Sequence, residues 1–197
     1  MGVYKLSTAG GLATPRTNYS SFLAGNPVFI DASYESIATV TVGSTSVASI
    51  SFTSIPATYT HLQIRGLVLT ASAGASPRIE FNSDSGTNYS NHLLYGTGSS
   101  AGAGANVSNS GMYIGGSNTG TSSSIPFVFV TDILDYKNTN KNTTIKTLSG
   151  LDANGNGEIS LFSGAWYNTA VVSSINVVTN INFAQYSSFA LYGIKGA

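Results

Sequence analysis

The side chains able to do acid, base or nucleophilic chemistry are few. There are two histidines, His61 and His92, eight Asp and Glu, no cysteine, and 30 serines among 197 residues. A Ser-His-Asp relay needs a histidine held by a carboxylate and touching a hydroxyl. With so many serines, a Ser beside a His is expected by chance, and no G-x-S-x-G turn singles one out. His61 reads as a polar residue on the outer face of a strand; His92, in NYSNHLL, is ambiguous. Asp132 and Asp135 in TDILDY are the residue types of glycoside hydrolysis, but on one regular strand residues three apart point to opposite faces. They read instead as strand-end carboxylates bonded to loop amides. The run Asp152-Ala153-Asn154-Gly155-Asn156-Gly157 imitates the opening of a calcium loop. Its twelfth position, where a bidentate glutamate belongs, is Ser163, and no helix flanks it. Asn-Gly pairs between two strands are what a hairpin requires. No catalytic residue, metal ligand or cofactor is expected.

A carbohydrate-binding surface is the strongest small-ligand option. Trp166, Tyr167 and Tyr89 offer flat apolar rings, and Asn82, Asp84 and Asn88 offer amide and carboxylate hydrogen bonds. Among them Asp84, Tyr89 and Trp166 are the candidate carbohydrate contacts. The competing reading packs Trp166 in the core and spends the Asn and Asp side chains on turns.

The composition narrows the partners. Lys and Arg number eight, Asp and Glu eight, and charged residues make up 8% of the chain, against about 25% in an average soluble protein. Binding to nucleic acid or to an anionic membrane surface needs clustered Lys and Arg, which are missing here. Without cysteine there is no disulfide scaffold and no thiolate metal site. The polar surface must come from 30 Ser, 21 Thr, 17 Asn and 22 Gly. Zero net charge invites self-association, a pressure that a subunit held in a fixed assembly escapes. No apolar run approaches the ~20 residues of a membrane-spanning helix. The opening MGVYKLSTAGGLATPR lacks the apolar centre of a secretory signal, and Leu6 stands where N-myristoylation wants Ser or Thr. Four N-x-Ser/Thr sequons, at Asn18, Asn88, Asn106 and Asn142, are a number this composition produces by chance.

The elements that would position these residues are strands. Residues 1–30 show no period of 2 or 3.6 and read as an extended N-terminal arm; residues 31–197 read as one β domain. Residues 35–42 set Ala38, Val40 and Val42 on one face, and 47–53 set Ala48, Ile50 and Phe52 on one face. With Gly43–Ser46 as a turn they read as a hairpin. In 59–71, Leu62, Ile64 and Val68 oppose His61, Gln63 and Arg65. Ile79 and Phe81 share a face in 78–82, and 89–95 is a further strand. Residues 96–111 are low in complexity and read as a flexible excursion, followed by a short strand near 112–114. The segment 125–136 is apolar on both faces and reads as a buried central strand. Ile145 and Leu151 share a face, Asn154–Gly157 is a tight turn, and the last strands point Ile159 and Leu161, then Ile175, Val177 and Ile181, then Phe189 and Leu191 inward. About ten strands without a helix make an all-β antiparallel sandwich, and the long excursions suit a jelly roll.

Several segments resemble small β-rich jelly-roll structural proteins of tailed-bacteriophage virions: SIPATYTHLQIRG at 54–66, FNSDSGTNYS at 81–90, DILDYKNTNK at 132–141, LFSGAW at 161–166 and NFAQYSSFALYGIK at 182–195. The resemblance spans about residues 34–195 and does not clearly cover the arm. It implies a non-enzymatic role, as a capsid decoration (cement) protein or a tail-associated part, and it carries over no catalytic residue. It also implies a homotrimer on the capsid exterior, made in the host cytoplasm. The compact body with an arm suits a clamp on the major capsid protein. Capsid contacts are then expected from Tyr4, Leu6, Leu12, Arg16, Tyr19, Phe22 and Leu23. The alternative is a tail or fibre module that binds host-surface carbohydrate through Asp84, Tyr89 and Trp166.

Overall fold

The computed structural model describes residues 33–115 and 125–196. Twelve strands cross them: β1 (Tyr34–Thr41), β2 (Val47–Phe52), β3 (His61–Val68), β4 (Arg78–Phe81), β5 (Tyr89–Gly96), β6 (Ala101–Asn109), β7 (Met112–Tyr113), β8 (Phe127–Leu134), β9 (Thr143–Asp152), β10 (Gly157–Trp166), β11 (Ile175–Phe183) and β12 (Ser188–Ile194). They form two antiparallel sheets. The large sheet runs β1-β12-β3-β8-β9-β10-β5-β6 and the small one β2-β11-β4-β7. No helix occurs among the described residues.

The packing is sandwich-like, because alternation gives each sheet one apolar face. Ile50, Phe52, Ile79, Phe81, Ile175 and Val177 of the small sheet share one core with Leu62, Ile64, Phe129, Ile133, Phe189 and Leu191 of the large sheet. Each such side chain contributes about 1.5–3 kcal/mol on burial. Rings from the two sheets meet edge to face: Phe183 on Phe189 at 4.9 Å and Phe81 on Trp166 at 5.6 Å between centroids. Under β8 and β9 the inward row is interrupted by hydroxyls. Thr131 and Thr147 lie opposite each other in the ladder, both fully buried, and their hydroxyls hydrogen-bond at 2.7 Å.

Four expectations are corrected by the sheet pairing. The first two strands do not form a hairpin: β1 pairs with β12 and β2 with β11, so Gly43–Ser46 carries the chain from one sheet to the other. Ala48 is exposed, while Ile50 and Phe52 point inward as their spacing requires. Within 96–111 lies the nine-residue strand β6, paired to β5. Its glycines carry no apolar signal, because β5 supplies the apolar cover. A Cβ on Gly102 would come within 2.6 Å of the Tyr95 ring, and one on Gly104 within 3.0 Å of Leu93. β8 is central, between β3 and β9, but only one of its faces is covered, leaving Val128, Val130 and Leu134 exposed.

The fourth correction concerns β10. Ile159 and Leu161 point outward, and Phe162 and Trp166 point inward. The turn decides this. Asn154 (φ 54°) and Gly155 (φ 98°) both take the left-handed conformation of a two-residue hairpin turn, with Ala153 N–H donating to Asn156 O at 2.6 Å. That turn pairs Leu151 with Glu158 and Ile145 with Gly164. Directly opposite residues share a face, so burying Ile145 and Leu151 sends the even-numbered residues of β10 into the core.

Candidate functional site

The three residues considered for carbohydrate come together, inside the fold. Trp166 is 1% exposed and Tyr89 fully buried. Their rings lie nearly parallel, 6.3 Å apart, with Phe81 edge-on to the indole. Asp84 closes this cluster from the 82–88 turn. Its carboxylate accepts the indole N–H of Trp166 at 2.8 Å, the Asn88 amide at 3.0 Å and the Gly86 backbone N–H at 2.9 Å. Its backbone carbonyl accepts the Tyr89 hydroxyl at 2.8 Å. The Trp166 bond is the main cause of an Asp84 pKa below the usual carboxylate value. Burial pushes the Tyr89 phenol well above its usual value. Asn82 is spent in the same way: its carbonyl oxygen accepts from Ser173 and Ser174 N–H, and its amide donates to Val171 O. Neither the Trp166 nor the Tyr89 ring offers a face to solvent. Tyr167, at 59% exposure, is the aromatic of the set that does.

The titratable candidates are dispersed. Asp132 lies on the outer face of β8, accepting from Gln63 Nε2 at 2.7 Å with Lys146 Nζ at 3.8 Å. Asp135 lies past the strand end, at φ 50°, bound to Lys141 and 3.4 Å from His61 Nδ1. The Lys141 ammonium holds the Asp135 carboxyl below its usual value. A relay histidine donates from one ring nitrogen to its carboxylate; Nδ1 of His61 instead accepts the Asp135 backbone N–H at 3.0 Å. His92 is exposed on β5 opposite Ser163. Among the described residues no three His, Asp or Glu side chains gather as metal ligands. The arm residues Tyr4, Leu6, Leu12, Arg16, Tyr19, Phe22 and Leu23 lie outside the described residues.

What the sequence reading missed is the outer face of the large sheet. Register aligns its outward residues into rows that run across the strands. One row reads Leu67, Val128, Gly150, Ile159, Gly96 and Ala101; the next reads Arg65, Val130, Leu148, Leu161, Leu94 and Ala103. Ile159, Leu94 and Leu148 are 61%, 59% and 54% exposed. These rows make an apolar belt from β3 to β5. At strand spacings of ~4.8 Å and row spacings of ~7 Å it covers roughly 300 Å². Patches of that size are the largest on ordinary monomers and are often functional. At one end the belt deepens into a groove of about 740 Å³, walled by Pro126, Val128, Val130, Leu148 and Ile159, with Asp152, Asn156 and Glu158 also lining it.

The third row is polar: Gln63, Asp132, Lys146, Ser163 and His92. From β3 to β9 its side chains are tied to one another. Arg65 Nε donates to Gln63 at 2.8 Å, and Gln63 donates to Asp132. The Arg65 guanidinium lies 5.5 Å from the Tyr34 ring centre and 5.2 Å from that of Tyr192, within cation–π range. An apolar centre bordered by polar groups is the anatomy of a protein interface. Sequence signals for it existed: Val128, Val130, Leu148 and Leu161 are too apolar for a solvated face, but only the register shows that they adjoin. No family model, no curated protein and no solved structure matches the chain.

Proposed function

We propose that the chain is a non-enzymatic structural part of a tailed-bacteriophage virion, a decoration (cement) protein that clamps neighbouring major capsid subunits from outside. The apolar belt with its polar border, on a chain with 8% charged residues, carries this reading: it is a surface made to be covered by protein. Burying roughly 300 Å² of apolar surface at ~25 cal/mol per Å² gains about 7 kcal/mol. Association itself costs about 4–15 kcal/mol, so the belt alone binds weakly. A second attachment through residues 1–30 would supply the remainder by avidity.

The fold we read as a jelly roll. The order β1-β12-β3-β8 opposite β2-β11-β4-β7 supports it, since β1, β2, β3 and β4 alternate between sheets, as do β7, β8, β11 and β12. The hairpins β5-β6 and β9-β10 then widen one sheet of the roll and create the belt.

The test is binding to heads that lack this protein. The full chain should saturate them. A chain without residues 1–25 should fold and fail to bind, and Leu148→Lys with Leu161→Lys should also fold and bind at least about tenfold more weakly. Full decoration by all three proteins would refute the clamp. Antibody labelling of intact virions at the tail instead of the head would favour the host-carbohydrate module.

A further inference from the structure

We propose that β6 is a pairing edge through which two copies of this chain join, β6 to β6 and antiparallel, into one continuous sheet. An edge strand presents unpaired backbone N–H and C=O groups, and folded proteins blunt such edges with bulges, charges or short length. Among the described residues the two sheets have four edges, and three of them are blunted. β1 is bulged between Ser36 and Ala38 and carries Glu35; β2 loses register against β11 between Val178 and Phe183; β7 is two residues long. β6 keeps an unbroken ladder of six residues, Ala101 to Asn106, before its own irregularity. Among the described residues nothing pairs with its other side.

The occupant is a second copy because self-pairing sets an unusual demand that β6 meets. About a two-fold axis each residue meets itself or a near neighbour, so any charge near the axis would face its own sign. No Asp, Glu, Lys or Arg occurs between Asp84 and Asp132. The inner face of the edge is already covered by Tyr95 over Gly102 and Leu93 over Gly104, so pairing displaces nothing.

The outer residues Ala101, Ala103 and Ala105 continue the rows of the belt. An axis perpendicular to the sheet at Ala103 keeps both belts on one side. Two belts joined in this way, with the two β6 rows between them, cover roughly 700 Å², against roughly 300 Å² for one, and so approach the ~800 Å² per partner of a standard interface. Only this gain in area depends on the docking role proposed above; the strand pairing does not. Six paired residues form a small contact, so the free dimer is weak and concentration-dependent.

Single cysteines read the pairing without interference, since the chain has none of its own. Paired Cα atoms lie ~4.5–5.5 Å apart, within disulfide reach. Under mild oxidation Ala103→Cys should give a disulfide dimer. Ala101→Cys and Ala105→Cys meet each other and not themselves, so each alone should crosslink poorly while their mixture crosslinks well. Val107→Cys, within the irregularity and 74% exposed, is the collision control. Ala103→Lys, at an exposed position, should leave the circular dichroism unchanged and weaken dimerisation about tenfold or more by sedimentation. Equal crosslinking at all four positions, crosslinking at none, or a dimer that Ala103→Lys leaves intact would each overturn the proposal.

Discussion

Replacing Asp84 by alanine removes one carboxylate that serves three donors. Two of them, the Asn88 amide and the Gly86 N–H, are exposed and can turn to water at little cost. The third is the indole N–H of Trp166, on a side chain 1% exposed. Left without an acceptor, a buried donor costs about 1–3 kcal/mol, and the lost bond is of the stronger kind made to a charged group. The expected loss is therefore about 2–3 kcal/mol. At ~2–4 °C per kcal/mol for a chain of this size, the melting temperature should fall by about 4–12 °C. Asp84→Asn keeps an acceptor oxygen and should cost about 1 kcal/mol. Urea unfolding followed by fluorescence is the direct assay, because Trp166 is the sole tryptophan in the sequence. A double-mutant cycle with Trp166→Phe, followed by circular dichroism, should show a coupling of about 1–2 kcal/mol. If Asp84→Ala cost less than about 0.5 kcal/mol, or if the cycle were additive, the carboxylate would not be holding the indole in solution.

Acid should act at the same bond. Asp84 is held below its ordinary 3.8, so its contribution is complete above that value and is lost as pH falls through the folded-state pKa. Stability measured from pH 5 to pH 2 should decline, and Asp84→Asn should flatten the decline. Glu80 acts with the opposite sign. Burial pushes its carboxyl above the ordinary 4.5, with Arg78 beside it drawing it back, so its protonation favours the fold and Glu80→Gln should steepen the acid loss. Gly66→Ala tests the packing. A Cβ there would collide with the Phe129 ring, which Phe127 and Phe189 confine. Overpacking of this kind costs about 1–3 kcal/mol, and an unchanged melting temperature would show that the ring has room to move.

Strand positions were legible wherever alternation was strong. Leu62, Ile64 and Val68, Ile79 and Phe81, and Phe189 and Leu191 all point inward as their spacing requires. Pairing was not legible, because a run of alternating residues says which face is apolar and nothing about which strand lies alongside. The β1–β2 misreading is of that kind. β10 was legible in principle: the Asn154-Gly155 turn and the inward Ile145 together dictate an inward Phe162. Ile159 and Leu161 carry a stronger apolar signal than Ser160 and Gly164 and so mask the true inward face. β6 was illegible for another reason, since Gly102 and Gly104 borrow their apolar cover from Tyr95 and Leu93. The types Trp, Tyr, Asn and Asp at 82–89 and 166 suit a sugar and suit a capped turn equally well. Only the depth of Trp166 separates the two uses. The outer belt depends on register across five strands, which no window of sequence contains.

The buried pair Thr131 and Thr147 bears on how the large sheet finds its register. A slip of one residue between β8 and β9 is opposed by every side chain, since all would change face. A slip of two is not, because the apolar pattern repeats every second residue. In either two-residue slip Thr147 would lie opposite Ile133 or Phe129, and its hydroxyl would lose its cross-strand partner in the core, at about 1–3 kcal/mol. The hydroxyl pair thus works as a proofreading mark: it adds little to the strength of the correct sheet and selects against the one error that hydrophobic burial would overlook.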